Sequence, residues 1–216
     1  MKILDQKYTQ NNGVIQLVKS GLDEICEGLP LVIGVFHGDE PQGQFLIEQY
    51  LKYNNGANIL FIPCLNPDGM LINQRTNSNG VDLNRNFPTK NWGLNEGKNA
   101  TCDDSSTDYW GGKHPASEIE TNFLIAIIEK YKPRSILTIH APYKVVNYDG
   151  PAKELSEKIS AIIGYPSVGS IGYPTPGSFG NWAGVERNYP TITLELDENI
   201  QVSEYLKPMF NIFEIL

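Results

Sequence analysis

One apolar run constrains the fold of this chain more than any other feature. Residues 31–36, Leu-Val-Ile-Gly-Val-Phe, end abruptly at His37-Gly-Asp-Glu40. Such a run is typical of a strand buried on both faces, as in a parallel sheet covered by helices. The polar residues then lie at the carboxyl end of the strand, where open α/β sheets build their sites. His37 and Glu40 are close enough across the turn for an imidazole nitrogen and a carboxylate oxygen to meet one cation.

Strand-like and helix-like segments alternate along the rest of the chain. Further strands are predicted at residues 58–63, 135–139, 145–146 and 191–196. Helices are predicted at residues 41–53, 116–131, 153–163 and 202–216, with Ser117 as an N-cap. This alternation predicts an α/β fold, a three-layer sandwich in which helices flank a mixed, mostly parallel sheet. The length of 216 residues suits a single domain over residues 1–216.

Three stretches do not follow the alternation. Residues 14–25 suit either a short helix or a strand with a turn. Residues 164–184 are rich in Gly, Pro, Ser and Tyr and are predicted to form a loop. Residues 70–113 are long, polar and rich in Asn and Gly, and such segments in compact domains are usually functional or disordered. The motif at residues 80–88, Gly-Val-Asp-Leu-Asn-Arg-Asn-Phe-Pro, favours a functional role.

Charge and cysteine content narrow the partners and the compartment. The net charge of −8 argues against a nucleic-acid surface, and no run approaches the ~18 apolar residues of a membrane span. The sequence leaves the oligomeric state open. Without a CxxC spacing, the three cysteines indicate neither a disulfide framework nor a zinc knuckle. Cys26 and Cys64 are expected to be buried, and Cys102 lies in a polar loop. With no apolar leader segment, these features predict a cytoplasmic protein.

The histidines indicate a metal site. The sequence has three of them, His37, His114 and His140, and the first and last end predicted buried strands. His37, Glu40 and His140 together offer the donors of a catalytic zinc site, which uses three protein ligands and a water. An alternative is that His37 and Glu40 form an ion pair within their turn and that His140 is a hydrogen-bonded residue at a strand end. His114 is interpreted as a loop residue.

Three further residues are candidates for chemistry. Glu195 lies in an apolar strand, where loss of solvent would raise its pKa towards that of a general base. Alternatively, Glu195 follows Thr191 and Thr193 on the solvent face of an edge strand. Arg85 can bind a substrate carboxylate with its planar guanidinium, and Arg75 can stabilise an oxyanion. Taken alone, each arginine is more typical of a structural or surface role.

Five ordered motifs resemble the zinc metallocarboxypeptidases of the carboxypeptidase A superfamily. They are His37-Gly-Asp-Glu40, Asn66-Pro-Asp-Gly69, Val81-Asp-Leu-Asn-Arg-Asn86, Ile139-His140 and Thr193-Leu-Glu195-Leu196. Within that superfamily, residues 75–88 and 173–182 resemble the bacterial murein peptide amidases. Those enzymes cleave between γ-D-glutamate and meso-diaminopimelate. The resemblance implies one catalytic domain with one zinc ion per chain, acting on a small peptide with a free carboxylate.

The resemblance also implies a role for each matching residue. His37, Glu40 and His140 would bind zinc, and Glu195 would be the general base that activates the attacking water. The other implied roles are carbonyl polarisation by Arg75, binding of the terminal carboxylate by Asn84 and Arg85, orientation of His37 by Asp82, and closure over substrate by Tyr173. The residue that sets side-chain preference is expected in residues 174–184. Asp197 departs from the proline common in the family, which is expected to spare the base but can alter the pocket.

Two other functions share some of these residues. A zinc-dependent deacylase of N-acyl amino acids, of the aspartoacylase or desuccinylase type, would also have a His/Glu/His site. The Asn66-Pro-Asp-Gly69 motif and the position of Glu195 favour the peptidase. A non-catalytic peptide-binding module is disfavoured because every zinc and base position carries a suitable residue. The sequence therefore predicts a zinc-dependent carboxypeptidase or amidase that hydrolyses a bond next to a free carboxylate.

Overall fold

A computed structural model describes residues 2–21, 26–54, 58–93 and 109–216. Its strands are β1 (Lys2–Tyr8), β2 (Val14–Lys19), β3 (Leu31–Ile33), β4 (Leu60–Ile62), β5 (Ile136–His140), β6 (Val145–Asp149), β7 (Ser167–Val168) and β8 (Thr191–Glu195). Its α-helices are α1 (Gln42–Tyr53), α2 (Pro67–Leu71), α3 (Ile119–Tyr131), α4 (Lys153–Ile163) and α5 (Leu206–Glu214). Short 3-10 turns cover Leu83–Arg85 and Val202–Tyr205, and a π-helical turn covers Asn181–Val185.

All the described strands form one mixed sheet, in the order β1-β2-β4-β3-β5-β8-β6-β7. The four central strands, β4, β3, β5 and β8, run parallel. β1 and β2 add an antiparallel pair at one edge, and β6 joins the other side antiparallel to β8. The predicted α/β class with a mixed, mostly parallel sheet is confirmed.

Helices cover both faces of the sheet and create two apolar cores. Successive strand residues point to opposite faces, so Val32 joins one core and Leu31 the other. The first core packs α1 and α5 against the sheet, with Leu46 and Met209 completely buried. The second packs α3, with Leu124 completely buried. The predicted three-layer arrangement of helices on both faces of the sheet is confirmed. None of the helices in the described ranges is long and apolar enough to cross a membrane.

The strand predicted at residues 31–36 is too long. β3 ends at Ile33, because the backbone of Gly34 lies against neighbouring main chain. A Cβ on Gly34 would lie 2.4 Å from the Pro63 carbonyl oxygen. The next residue, Val35, has a φ of 53°, which is a strained conformation for a β-branched residue. The chain therefore turns out of the sheet just before His37.

Other boundaries also differ from the prediction. Helix α3 starts at Ile119 with Glu118 at the N-cap, so the prediction of Ser117 as N-cap is wrong. The Ser117 hydroxyl instead donates to the Glu118 carboxylate and accepts from the Asn86 amide. The predicted loop at residues 164–184 contains β7 and the start of the π-helical turn. The described part of the 14–25 stretch, residues 14–21, contains a strand, β2, rather than a helix.

The cysteines in the described ranges form no disulfide bond. Cys64 is buried, as predicted, whereas Cys26 is only half-buried. Burial raises the pKa of the Cys64 thiol to about 12, which keeps it protonated and unreactive. Cys102 lies outside the described residues.

Candidate metal centre and substrate pocket

The first two candidate ligands lie in a tight turn after β3. The backbone N–H of Glu40 donates to the carbonyl of His37 at 3.1 Å, which closes the turn. Gly38 lies in van der Waals contact with the main chain of Gly69, and a Cβ there would come within 2.0 Å of the Gly69 carbonyl carbon. Glycine is therefore required between the two ligands.

The third candidate ligand arrives from the neighbouring parallel strand. β5 pairs with β3 and ends at His140, so the carboxyl ends of both strands meet at one edge of the sheet. Glu40 then lies between the two imidazoles. Its Oε1 is 2.7 Å from His37 Nδ1, and its Oε2 is 2.9 Å from His140 Nδ1. All three residues are buried, and Glu40 contacts both histidines, so the His37–Glu40 pair is not confined to its turn.

These donors fit a zinc ion. One ligand atom from each of His37, Glu40 and His140 can be chosen so that all three lie within 4.8 Å of one another. The two Nδ1 atoms face each other at 3.3 Å, and zinc–nitrogen bonds of 2.0–2.1 Å in a tetrahedral site would place them roughly 3.3 Å apart. Two imidazoles and a carboxylate are also a donor set that zinc prefers.

Asp82 supports the histidine from behind. Its side chain is completely buried, and its Oδ1 lies 3.4 Å from His37 Nε2. Arg75 donates to Asp82 Oδ2 from Nε at 3.1 Å and from Nη2 at 2.9 Å. Although burial acts in the opposite direction, Arg75 and His37 hold the pKa of Asp82 well below its usual range. A charged Asp82 can fix His37 with its Nδ1 towards Glu40.

The centre carries negative charge that a cation can neutralise. Burial opposes ionisation, yet His37 and His140 hold the pKa of Glu40 well below its usual range. Burial and Arg75 lower the pKa of His37, but Glu40 and Asp82 outweigh them and raise it to about 9. A bound metal ion would displace the proton that His37 holds when no metal is present.

Glu195 lies beside this centre at the end of β8. Its Cα is paired with that of His140 in the sheet, and it is 7% exposed. Burial, with a contribution from Glu40, raises the pKa of Glu195 against the opposing effect of the two histidines. Its Oε2 has no hydrogen-bond partner among the described residues. The edge-strand alternative is wrong, because β8 lies between β5 and β6 and Thr191 is completely buried.

Two arginines and an asparagine line the next part of the pocket. The side chain of Arg85 is buried, and its Nε has no partner among the described polar atoms. The Asn84 side-chain oxygen accepts the backbone N–H of Phe179 at 2.8 Å, which leaves its NH₂ group as the donor. The ring of Tyr109 lies 5.1 Å from the Arg75 guanidinium carbon and 5.7 Å from that of Arg85. The structure thus places Arg75, Asn84 and Arg85 around one cavity.

Tyr173 also lines this pocket, from the loop after β7. It is half-buried, and burial together with a hydrogen bond to Tyr143 raises its pKa to about 12. The phenol therefore stays neutral at physiological pH. Tyr143, which sequence reasoning missed, follows His140 on a short turn and has 56% of its surface exposed.

Sequence reasoning also missed the residues on β6. Asn147 and Asp149 line the pocket together with Thr193 of β8. The strand predicted at residues 145–146 stops short of both residues, whereas β6 runs to Asp149 and places residues i and i+2 on one face. Which face of β6 meets a pocket depends on its pairing with β8, which the sequence does not reveal.

Two residues singled out in the sequence lie away from the pocket lining. His114 is exposed, and its Nδ1 lies 3.0 Å from the Pro115 carbonyl, in agreement with a loop residue. The side chain of Asp197 pairs with Lys144 at 2.7 Å and accepts hydrogen bonds from Asn199. Through its ion pair with Lys144, Asp197 therefore connects the turn after β8 to the turn after β5.

Comparisons with known proteins agree with this geometry. A family model described as zinc carboxypeptidase matches residues 32–161. Murein peptide amidase A of Escherichia coli K12 is 36% identical over 192 residues, which cover 84% of this chain and 78% of that protein. Murein peptide amidase A of Vibrio campbellii is 31% identical, over 77% of this chain and 68% of that protein.

Solved structures give the same picture at the level of the fold. The crystal structure of murein-tripeptide amidase from Escherichia coli O157 superposes with a TM-score of 0.78 and 27% identity, covering 96% of this chain and 88% of that one. Carboxypeptidase A from Helicoverpa armigera superposes with a TM-score of 0.77 at 14% identity, over 99% of this chain and 68% of that one.

Proposed function

The chain belongs to the zinc carboxypeptidase family of peptide-bond hydrolases, and we propose that it is a zinc-dependent murein peptide amidase. The bond it hydrolyses joins γ-D-glutamate to meso-diaminopimelate, next to a free carboxylate. The similarity to murein peptide amidases over most of the chain supports this substrate. One observation carries the proposal: the convergence of His37, Glu40 and His140 beside the unpartnered Oε2 of Glu195.

The metal ligands in this proposal are His37, Glu40 and His140. When bound there, zinc supplies a Lewis acid and lowers the pKa of a coordinated water to about 7. Asp82 holds the His37 ring in the orientation that keeps Nδ1 directed at Glu40. Every other step is performed by side chains of the pocket.

Glu195 moves the proton. Its free Oε2 accepts a proton from the attacking water as the carbon–oxygen bond forms, and burial, which raises its pKa, strengthens it as a base. The same carboxyl group then gives that proton to the nitrogen of the departing diaminopimelate as the carbon–nitrogen bond breaks. The base is therefore regenerated at the end of the cycle.

The arginines hold the charged oxygens. Arg75 donates to the carbonyl oxygen as negative charge develops on it. Arg85, through its unpartnered Nε, and the Asn84 amide bind the carboxylate of the released residue. Tyr173 covers the substrate from the loop after β7 and excludes water from the reacting bond.

We also infer the cellular setting. Residues 1–216 act as one catalytic domain on peptides recovered from the cell wall, in the cytoplasm. The free thiol of Cys64 supports a reducing compartment. Fractionation of cells that express the protein, followed by immunoblotting, tests this; recovery in the periplasm would contradict it.

The test of the proposed function uses L-Ala-γ-D-Glu-meso-diaminopimelate. We expect zinc-loaded wild-type protein to release free diaminopimelate from this peptide. Mass spectrometry detects the released product. The Glu195→Gln variant should bind one equivalent of zinc and be roughly 10²–10⁴-fold slower, the usual contribution of a general base. Absence of release by the zinc-loaded wild type would remove the murein assignment. A Glu195→Gln variant with near wild-type turnover would remove the assigned base.

A further inference from the structure

One ionisable residue in the pocket has no function in the chemistry described so far. Asp149, at the end of β6, lines the pocket together with Asn147. Residues 174–184, where the preference-setting residue was expected, contribute only Thr175, Ser178 and Gly180 to the lining. None of these side chains carries a charge, so β6 supplies the pocket with the charge that this loop does not.

Strand register places Asp149 on the same face as the catalytic centre. In the antiparallel pair β6–β8, Val145 lies opposite Glu195 and Asn147 lies opposite Thr193. Directly opposite residues share a face, so Glu195, Asn147 and Asp149 all project to the same side of the sheet. Asn147 and Asp149 lie roughly 7 Å and 13 Å further along β6 than the partner of Glu195. That span suits an extended amino-acid side chain that runs away from the scissile bond.

Two glycines leave room for the Asp149 carboxylate. A Cβ on Gly180 would lie 2.3 Å from Asp149 Oδ2, and a Cβ on Gly184 would lie 2.4 Å from Asp149 Cβ. Gly184 lies in the π-helical turn, and Gly180 is the residue that precedes it. Any larger residue at either position would force the aspartate out of its present place.

The carboxylate has no cationic partner in the described ranges. Its side-chain hydrogen bond there comes from Asn147 Nδ2 at 3.1 Å, and none of the ion pairs involves it. The Asn147 oxygen is buried and also has no partner. Burial raises the pKa of Asp149 to about 6, so the group is mostly ionised at pH 7. The pocket thus offers the Asn147 oxygen, which has no donor among the described residues, and a carboxylate that receives one amide hydrogen bond and no cation.

We propose that Asp149, together with the Asn147 oxygen, is the specificity-determining site that binds a side-chain ammonium group of the residue released by the enzyme. This inference rests on the proposed function, which places the α-carboxylate of that residue on Arg85. Arg85 and Asp149 then bind opposite charges of one product. A half-buried carboxylate in a pocket discriminates against a ligand that lacks the cation, because the charge is then left without a partner.

Three peptides of the form L-Ala-γ-D-Glu-X distinguish binding of the side-chain ammonium of X from binding of its side-chain carboxylate. With X as meso-diaminopimelate, the far end carries both an ammonium and a carboxylate. L-Lysine keeps the ammonium on the same carbon and lacks the carboxylate, and L-2-aminopimelate keeps the carboxylate and lacks the ammonium. We expect wild-type kcat/KM for the 2-aminopimelate peptide to be roughly 10²-fold below that for the diaminopimelate peptide. The lysine peptide should lie between these two values.

The matched variants are Asp149→Asn and Asp5→Asn. Asp149→Asn should lose roughly 10²-fold in kcat/KM on the two ammonium-bearing peptides and much less on the 2-aminopimelate peptide. Asp5 lies on β1 in an exposed pair with Lys130, so its variant makes the same charge change outside the pocket and should match wild type. Zinc content and thermal unfolding of each variant show whether the fold is kept.

The outcomes separate this inference from the proposed function. Wild-type rates within about 3-fold for the diaminopimelate and 2-aminopimelate peptides would overturn the ammonium site and leave the amidase intact. An equal loss on all three peptides in Asp149→Asn would assign the residue a structural role instead. If the wild type cleaves none of the peptides, the proposed function fails. Calorimetric binding of free diaminopimelate and 2-aminopimelate to the wild type then decides the inference, and equal affinities would overturn it.

Discussion

At the scale of single residues, the pocket is marked by buried polar atoms that the protein does not satisfy. Glu195 Oε2, Arg85 Nε and Asn147 Oδ1 have no partner among the described residues. Buried polar groups are normally hydrogen-bonded, and leaving one unsatisfied costs about 1–3 kcal/mol. Asp82, which lies directly behind the metal ligands, in contrast accepts hydrogen bonds from Arg75 and from the backbone N–H of Asn84. These three atoms belong to residues of the pocket lining and are available to a substrate, whereas Asp82 belongs to the support.

Replacing Arg85 tests the binding of the substrate carboxylate. We expect Arg85→Gln to lower kcat/KM by roughly 10²–10³-fold on the tripeptide, because a buried charged partner is lost. A tripeptide amidated at that carboxylate should already be a poor substrate of the wild type. Its kcat/KM should therefore change little in the Arg85→Gln variant. Steady-state kinetics on both peptides measure the difference.

A second arginine provides the control for this prediction. Arg187 stacks on Trp182 at 4.1 Å and does not line the pocket, so Arg187→Gln should keep wild-type kcat/KM. An equal loss on the free and amidated peptides in Arg85→Gln would contradict carboxylate binding and indicate a structural role.

Some residues of the site could be predicted from the sequence and others could not. His37 and His140 were identifiable because each ends an apolar run, and Glu195 because a carboxylate interrupts one. Asp149 was not, because its position depends on β6 pairing with β8 and on Gly180 of a distant turn. Local sequence fixes the residue types near a strand end, and tertiary pairing decides which of them face one another.

At the scale of elements, the start of α3 is tied to the segment that carries the arginines. Glu118, the N-cap residue, accepts from Asn77 at 2.8 Å and from Asn79 at 2.7 Å through its Oε2. The next acidic residue, Glu120, is also buried, and Asn77 lies 3.4 Å from its carboxylate. Burial and the nearby charge of Glu118 raise the pKa of Glu120 to about 7.

This pKa predicts a loss of stability with rising pH. The ordinary pKa of Glu120 is 4.5 and the folded-state pKa is about 7, so the folded protein holds a proton that the unfolded chain releases. The resulting stabilisation is complete below pH 4.5 and is lost as pH rises through 7. We expect Glu120→Gln, which mimics the protonated form, to raise the free energy of unfolding at pH 8 by up to about 3 kcal/mol.

Urea denaturation at pH 5 and pH 8 measures this effect. At pH 5 the variant and the wild type should differ much less. Glu129→Gln, on the exposed side of the same helix, should follow wild type at both pH values. The expectation fails if Glu120→Gln is destabilising at pH 8.

Helix α1 approaches β3 through two glycines. A Cβ on Gly43 would lie 2.8 Å from the Gly34 Cα and 3.2 Å from the Ile139 Cβ. We expect Gly43→Ala to lower the free energy of unfolding by about 1–3 kcal/mol, the usual cost of overpacking, although alanine favours a helix. Chemical denaturation measures the change. Glu48→Ala, on the exposed side of the same helix, should stay within about 0.5 kcal/mol of wild type, and a neutral Gly43→Ala would show that α1 can move away from the sheet.

At the scale of the whole molecule, the fold class was predictable and the strand order was not. Apolar runs and amphipathic helices alternate, and that pattern specifies helices on both faces of a largely parallel sheet. Local periodicity carries no information on which strands are neighbours. β1 escaped prediction because it is an edge strand, mostly exposed and rich in charged side chains, and so has no apolar run. Its partner β2 was recognisable only as one of two alternatives.

Metal removal should lower the stability of the entire domain. Zinc at 100 times its dissociation constant stabilises a folded protein by about 2.7 kcal/mol. For a domain of this size, that corresponds to a rise in Tm of roughly 5–10 °C. We expect chelation to remove this increment in wild type, as measured by calorimetry. His140→Ala should show no dependence on zinc, whereas His114→Ala, whose histidine is exposed and not part of the metal-ligand group, should behave as wild type.

The pairing of β3 with β5 also determines when, during folding, the chain can bind zinc tightly. His37 and Glu40 are neighbours in any conformation of the chain, whereas His140 follows Glu40 by 100 residues. A newly made chain therefore holds two of the three metal ligands, with weak affinity, until the two strands have paired. Closure of so long a segment is slow compared with local turn formation. Tight zinc uptake is consequently a late step, and its rate reports when the centre of the sheet has formed.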